Sequence, residues 1–180
     1  MFRILHYKIY FITGVRITVV QSILSEMVTY FGNDVRRINH ALKVYGFATM
    51  LSNLEGTSER EHQILEYAAI LHDIGIKEAE RKYHSASGSY QEIEGPPVAK
   101  QILEKYKIGS DIIDRVCFLI GKHHTYKAID GLDFQILVEA DFLVNIYEDS
   151  MDKPTIESIK KKIFKTSNGI RILEDMYLKS

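Results

Sequence analysis

His72 and Asp73 stand side by side at the end of the apolar run Ile64-Leu65-Glu66-Tyr67-Ala68-Ala69-Ile70-Leu71. An imidazole beside a carboxylate has little value as packing at the edge of a core, because a buried, unpaired carboxylate is costly unless a cation compensates it. The pair suits ligation of a metal ion. Three further positions look like the rest of a ligand set: His40 upstream, the doublet His123-His124 downstream, and Asp141 inside Leu137-Val138-Glu139-Ala140-Asp141-Phe142-Leu143-Val144. Imidazole and carboxylate without thiolate suit Mn²⁺, Fe²⁺, Zn²⁺, Co²⁺ or Ni²⁺ better than they suit a cysteine-rich structural zinc site. An aspartate can bridge two ions, whereas a ligating imidazole holds one.

Taken singly, these residues say less. A lone histidine on an apolar stripe is commonly a satisfied core residue, and His62 and His84 lie in polar surroundings that suit the surface. His6 receives no role. The combination carries the weight, because apolar segments each bring a His or Asp to their core-facing side. A helical bundle can gather such residues into one internal pocket.

The segments that must position them read as helices. Gln21 to Phe31 is apolar at Ile23, Leu24, Met27, Val28 and Phe31 and is closed by Gly32-Asn33. Asp34 to Asn53 carries the stripe His40, Val44, Phe47, Leu51, so His40 points with the core residues; Glu55-Gly56 ends it. Ser58-Glu59-Arg60-Glu61 is a capping box that opens the helix leading to His72. That helix is apolar on nearly every side from Ile64 to Leu71, which predicts a central position. Residues 81–95 are polar, with Gly and Ser, and read as a long functional loop suited to substrate choice. Pro96-Pro97 predict the first turn of a following helix. Ser110 or Asp111 caps a helix running to His124, and Asp130-Gly131 turns the chain. Asp133 to Glu148 is a strongly apolar helix carrying Asp141, Pro154 opens another, and Ser167 to Leu178 forms the last. The predicted fold class is all-α, a single-domain helical bundle.

Bulk properties narrow the function classes. A chain of 180 residues, 46% hydrophobic and 26% charged, has the composition of one ordinary globular domain. Its formal net charge of −1 gives no basic excess for binding duplex nucleic acid. The lone Cys117 lies among Ile112, Ile113, Val116, Leu119 and Ile120, which predicts a buried core thiol. One cysteine and no cleavage signal favour the cytoplasm. The apolar start, Met1 to Leu24, is interrupted by Arg3, Lys8 and Arg16, and no uninterrupted apolar run in it approaches the ~18 residues needed to span a bilayer, so no membrane partner is expected and a signal anchor is the minor alternative. It reads as an N-terminal extension over 1–24, an added strand or helix or a segment without function, ahead of a domain over 25–180. Nothing in the pattern sets an oligomeric state.

The order H…HD…HH…D resembles the HD-domain superfamily of metal-dependent phosphohydrolases, over about residues 34 to 149. The resemblance implies that His40, His72, Asp73 and Asp141 hold a first divalent metal ion. Leu71-His72-Asp73-Ile74-Gly75 is similar to the HDIG form of cyclic-dinucleotide phosphodiesterases, in whose two-metal members the Asp of HD bridges to a second ion. His123-His124 match the doublet that holds this second ion, and Glu94 stands where a further histidine is expected. One or two ions per chain are thus implied. Ile76 displaces the lysine that commonly follows HDIG, leaving Lys77 as the implied phosphate-binding catalytic residue beside Asp73. Arg81, Lys82 and Lys122 are further candidate phosphate cations, and Tyr90 and Tyr126 candidate stacking residues. No GYP motif follows His124, so the cyclic-di-GMP branch is not indicated.

What the resemblance implies is hydrolysis of a small phosphorylated, nucleotide-like substrate by water attacking phosphorus in line. Nucleoside monophosphates, cyclic nucleotides, dinucleotides and small phosphate esters all fit. Two alternatives share the ligand set: an HD-type di-iron oxygenase, and a domain that binds a nucleotide without chemistry. The His-His doublet favours hydrolysis over the first, and the intact ligand set argues against the second.

Overall fold

The computed structural model describes residues 10–12 and 15–179, with side chains from residue 18 onward. Two short antiparallel strands, β1 (Tyr10–Ile12) and β2 (Val15–Ile17), precede a bundle of helices. The all-α class holds for that bundle. Its first helix, α1 (Val19–Phe31), starts earlier than the apolar pattern suggests, because Thr18 and Gln21 form a capping box: the Gln21 N–H donates to Thr18 Oγ1 and the Thr18 N–H to Gln21 Oε1. A boundary after residue 24 therefore falls inside α1, whose Ile23, Met27 and Phe31 are buried. The expectation for residues 1–9, 13 and 14 lies outside the described residues. Among the described residues, no helix is long and apolar enough to cross a membrane.

Asp34 caps α2 (Val35–Glu55) by accepting from the Arg37 N–H, and Gly56 closes it in the left-handed region. His40, Ala41, Val44, Ala48, Leu51 and Ser52 form its buried face, with Phe47 only partly buried at the flank. The Ser58–Glu61 capping box opens α3 (Glu59–Leu71) as expected. Every residue from Tyr67 to Leu71 is buried, so α3 runs through the centre of the molecule, packed by α1 and α2 and by two helices described below. Four residues, His72 to Gly75, turn the chain into α4 (Ile76–Tyr83).

The long loop over 81–95 is not formed. α4 continues through Tyr83, and α5 (Gly88–Glu104) begins at Gly88, leaving only His84 to Ser87 as a connection. Gly88 serves close packing: a Cβ there would lie 2.5 Å from Cδ2 of His124. Tyr83 and Tyr90 stack across the connection with centroids 4.1 Å apart. Pro96 and Pro97 likewise lie inside α5 rather than at its start. A proline pair removes internal N–H donors, so α5 is held by its neighbours instead of by propensity. Gly95 sits against Gly75, and the Pro96 carbonyl accepts from the Cys117 thiol. That thiol is half-buried rather than fully enclosed, because it lies at the seam with α5.

The next helix, α6 (Ser110–Ile120), stops at Gly121, four residues short of the expected end. His123 and His124 thus lie in a turn after the helix. α7 (Leu132–Glu148) is buried along almost its full length, as its apolar pattern predicts. Arg115 of α6 forms a two-armed pair with Asp133 and a second with Asp130, pinning α6 to the start of α7. α8 (Lys153–Ile163) and α9 (Ser167–Leu173), followed by one wider helical turn over Glu174–Leu178, close the bundle.

A Cβ at Gly75 would meet backbone only, 2.5 Å from the Gly95 nitrogen and 2.6 Å from the Gln91 oxygen. Gly46, exposed in mid-helix, has nothing within 4 Å of that position. Gly75→Ala is expected to cost about 1–3 kcal/mol of stability. Gly46→Ala is expected to add about 0.5–1 kcal/mol. Urea unfolding of the two variants against wild type checks both signs.

Candidate metal centre

Four elements deliver the cluster. His40 comes from the second turn of α2, His72 and Asp73 from the turn after α3, His123 and His124 from the turn after α6, and Asp141 from mid-α7. His72 and His123 are almost completely buried, and His40 and Asp141 nearly so. The Nε2 atoms of His40 and His72 lie 3.1 Å apart. Asp141 Oδ1 is 3.2 Å from His40 Nε2 and 3.8 Å from His72 Nε2.

Asp73 divides its two oxygens. Oδ2 faces His40 Nε2 at 3.6 Å and His72 Nε2 at 3.5 Å, while Oδ1 faces His123 Nε2 at 3.6 Å. Donors about 2.1 Å from one ion are separated by roughly 3.0–3.4 Å in octahedral or tetrahedral geometry. The observed separations are close to that range. Two groups of ligand atoms gather within 4.8 Å of one another, His40 with His72 and Asp73, and Asp73 with His123 and His124.

The outer nitrogens explain why the inner ones are free. His40 Nδ1 donates to Glu148 Oε2 at 3.1 Å, His72 Nδ1 to the Ala69 carbonyl at 2.8 Å, and His123 Nδ1 to the Ile120 carbonyl at 2.8 Å. Each tether sets the tautomer of the neutral ring and leaves Nε2 as its lone pair. His123 Nε2 is buried with no hydrogen-bond partner at all. A buried lone pair without a donor is costly, and so are two imidazole lone pairs facing each other. The residues therefore fit a cation, or two sharing Asp73.

The electrostatics agree. Burial alone would lower His40, but Asp141, Asp73 and Glu148 outweigh it and raise its pKa to about 9. Burial would raise Asp73, yet His72, His123 and His40 hold it below the ordinary carboxylate range. Asp141 is held down in the same way, chiefly by His40 and His72. Burial drives the pKa of His124 to about 4 and also lowers that of His72, keeping both neutral and able to ligate.

Two implied site residues are drawn elsewhere. Glu94 is buried but belongs to neither ligand group; its carboxylate pairs with Lys82 and accepts from the Tyr83 hydroxyl at 2.9 Å. Lys77 donates to the Tyr30 carbonyl at 2.7 Å and lies over the Tyr30 ring, held against α1. Arg81 pairs with Glu78, and Tyr126 packs on Phe142. The cations at the mouth are instead Arg36 and Arg37, which line a pocket of about 390 Å³ with His40, Asp73, Asn145 and Glu148. Helical spacing held that signal: Arg37 is one turn before His40, and Asn145 and Glu148 follow Asp141 by one and two turns. Asn145 Nδ2 donates to Asp141 Oδ1 at 2.8 Å.

The family model of the HD domain matches residues 37–164 of the chain, well over half of it. The chain belongs to the HD-domain family. Members of this superfamily are in general metal-dependent hydrolases, and the His/Asp cluster accords with that. The crystal structure of a predicted HD superfamily hydrolase from an uncultured Thermotogales bacterium is similar in fold, with a TM-score of 0.60 at 21% identity over 87% of this chain and 82% of that one. No curated protein matches the chain.

The raised His40 pKa has a definite sign for stability. The metal-free HD domain gains its full contribution below about pH 6.5, the unfolded value, and loses it as pH rises through about 9. Urea unfolding of metal-stripped protein across that window should show declining stability, and His40→Gln should remove this part of the decline. Adding a divalent cation should remove it too, because the ion replaces the proton.

Proposed function

We propose that this HD domain is a metal-dependent phosphohydrolase acting on a small, nucleotide-like phosphate ester. The observation that carries the reading is the sharing of one pocket by the split Asp73 carboxylate and the guanidinium of Arg37. The first of these suits a pair of cations, and the second suits an anionic substrate beside them.

His40, His72, Asp73 and Asp141 would hold one divalent ion, and Asp73, His123 and His124 a second. Bound there, such ions supply Lewis-acid polarisation of a phosphoryl group and acidify water. The protein's own contribution is orientation and charge. Glu148, itself paired with Lys43, keeps the His40 ring turned so that Nε2 faces inward. Asn145 steadies Asp141.

Arg37 is preorganised by Asp34 at 2.8 Å and by two hydrogen bonds to Glu80, at 3.0 and 2.6 Å. A planar guanidinium so fixed can present its two remaining N–H donors to phosphate oxygens without first losing its rotamer freedom. Arg36, on the same rim, adds positive charge for capture. The mouth is open to solvent, which suits a ligand that enters and leaves with only its phosphate end enclosed. Lys77 has no part in this reading, because it is held on α1 and does not line that pocket.

The test is phosphate release from a panel of phosphomonoesters and phosphodiesters with added Mn²⁺, wild type against Asp73→Ala. Asp73→Ala is expected to abolish release and to lower bound metal. Oxygen uptake without phosphate release would reassign the site to oxygen chemistry. Arg37→Ala should raise KM at least ~10-fold, consistent with loss of a charge-assisted contact of about 1.5–3 kcal/mol. Lys77→Met should leave kcat and KM unchanged.

A further inference from the structure

The second group of ligands, Asp73 with His123 and His124, is one residue short of the first, which has His40, His72, Asp73 and Asp141 around it. α5 lies against the turn 72–75. A Cβ on Gly75 would lie within 3 Å of the Gly95 nitrogen, the Gly95 Cα and the Gln91 carbonyl, so the helical turn from 91 to 95 rests directly on the His72-Asp73 turn. Glu94 is in that turn but is turned aside to Lys82 and Tyr83 of α4.

Gln91 is the side chain that faces the histidines. It is buried, at 7% exposure, and its Oε1 lies 3.4 Å from His124 Nε2. Its amide orientation is not arbitrary: Nε2 donates to the Ala86 carbonyl at 2.8 Å, and a carbonyl can accept only from the NH₂ end. The oxygen is therefore held toward His124. A separation of 3.4 Å is also the spacing expected of neighbouring donors on one ion. Glu92, on the same helix, accepts from the His124 N–H at 3.1 Å and from the Thr125 hydroxyl, fixing the histidine turn against α5.

We propose that Gln91, rather than Glu94, is the α5 residue that completes the second cation position, contributing its amide oxygen beside His124. This rests on the phosphohydrolase reading of the site. An amide oxygen is a hard, neutral donor of the kind that suits Mn²⁺ or Mg²⁺. The second position then has only the shared charge of Asp73, whereas the first has Asp141 in addition. Two ions of unequal affinity follow, the tighter one between α2, α3 and α7.

Titration of metal-stripped full-length protein with Mn²⁺ by calorimetry, with the spin coupling of the Mn²⁺ pair read by electron paramagnetic resonance, tests this. Wild type should bind two ions with separate affinities. Gln91→Ala should weaken the second ion roughly 10–100-fold and leave the first alone. Gln91→His, which restores a ligating side chain, should keep the second ion and the coupling even if the alanine variant folds poorly. Glu94→Gln should bind both ions as wild type does. An unchanged second affinity in Gln91→Ala, or its loss in Glu94→Gln, overturns the proposal. A single ion in wild type and all variants also overturns it, while leaving the phosphohydrolase reading intact. Binding of no ion at all defeats both.

Discussion

One carboxylate, that of Asp73, sets the terms for the rest of the molecule. It is part-buried at the pocket floor and flanked by imidazoles on both of its oxygens. Such a group is tolerable inside a protein only if positive charge reaches it. Its field, with that of Asp141, raises His40 and His123 against the pull of burial. The two turns that bring histidines to it share one device. His72 and His123 each follow the end of a helix, and each donates Nδ1–H to the carbonyl three residues back, Ala69 and Ile120. One hydrogen bond thus satisfies an orphan carbonyl of the helix terminus and sets the tautomer of a ligand.

Buried acids elsewhere in the bundle are treated differently, and the contrast identifies the centre. Glu139 accepts from the backbone N–H groups of Lys165 and Thr166, from the Thr166 hydroxyl and from Gln135, tying α7 to the start of α9. Asp133 takes both arms of Arg115. Those carboxylates are completed by the protein's own donors. Asp73 and Asp141 face chiefly imidazole nitrogens, which are better suited to share an ion than to replace one.

Close approach of backbones makes the cluster possible. Gly75 lets the turn after α3 lie on α5, Gly95 lets α5 lie on Ile120, and Gly88 makes room for the His124 ring. These contacts carry α5 through two prolines that would otherwise break it. The Arg115 pairs then hold α6 and α7 in register, so the histidine turn and Asp141 arrive at the same place.

Much of this was legible in the residues themselves. The capping box at Ser58, the enclosed character of α3 and α7 and the stripe that aims His40 inward are local patterns, governed by hydrogen bonding and periodicity within a few turns. The types His, Asp and His-His likewise limit the chemistry to hard or borderline cations. Tertiary structure decided what local pattern cannot hold. Polar residues 81–95 looked like a loop because Gly, Ser and Pro disfavour an isolated helix, yet packing against the His72 turn and α6 made most of it helical. The same packing turned Glu94 to Lys82, Lys77 to Tyr30 and Gln91 to His124. A side chain's partner depends on which helix lies opposite, and that is set by the whole bundle rather than by the residue's own neighbours in the chain.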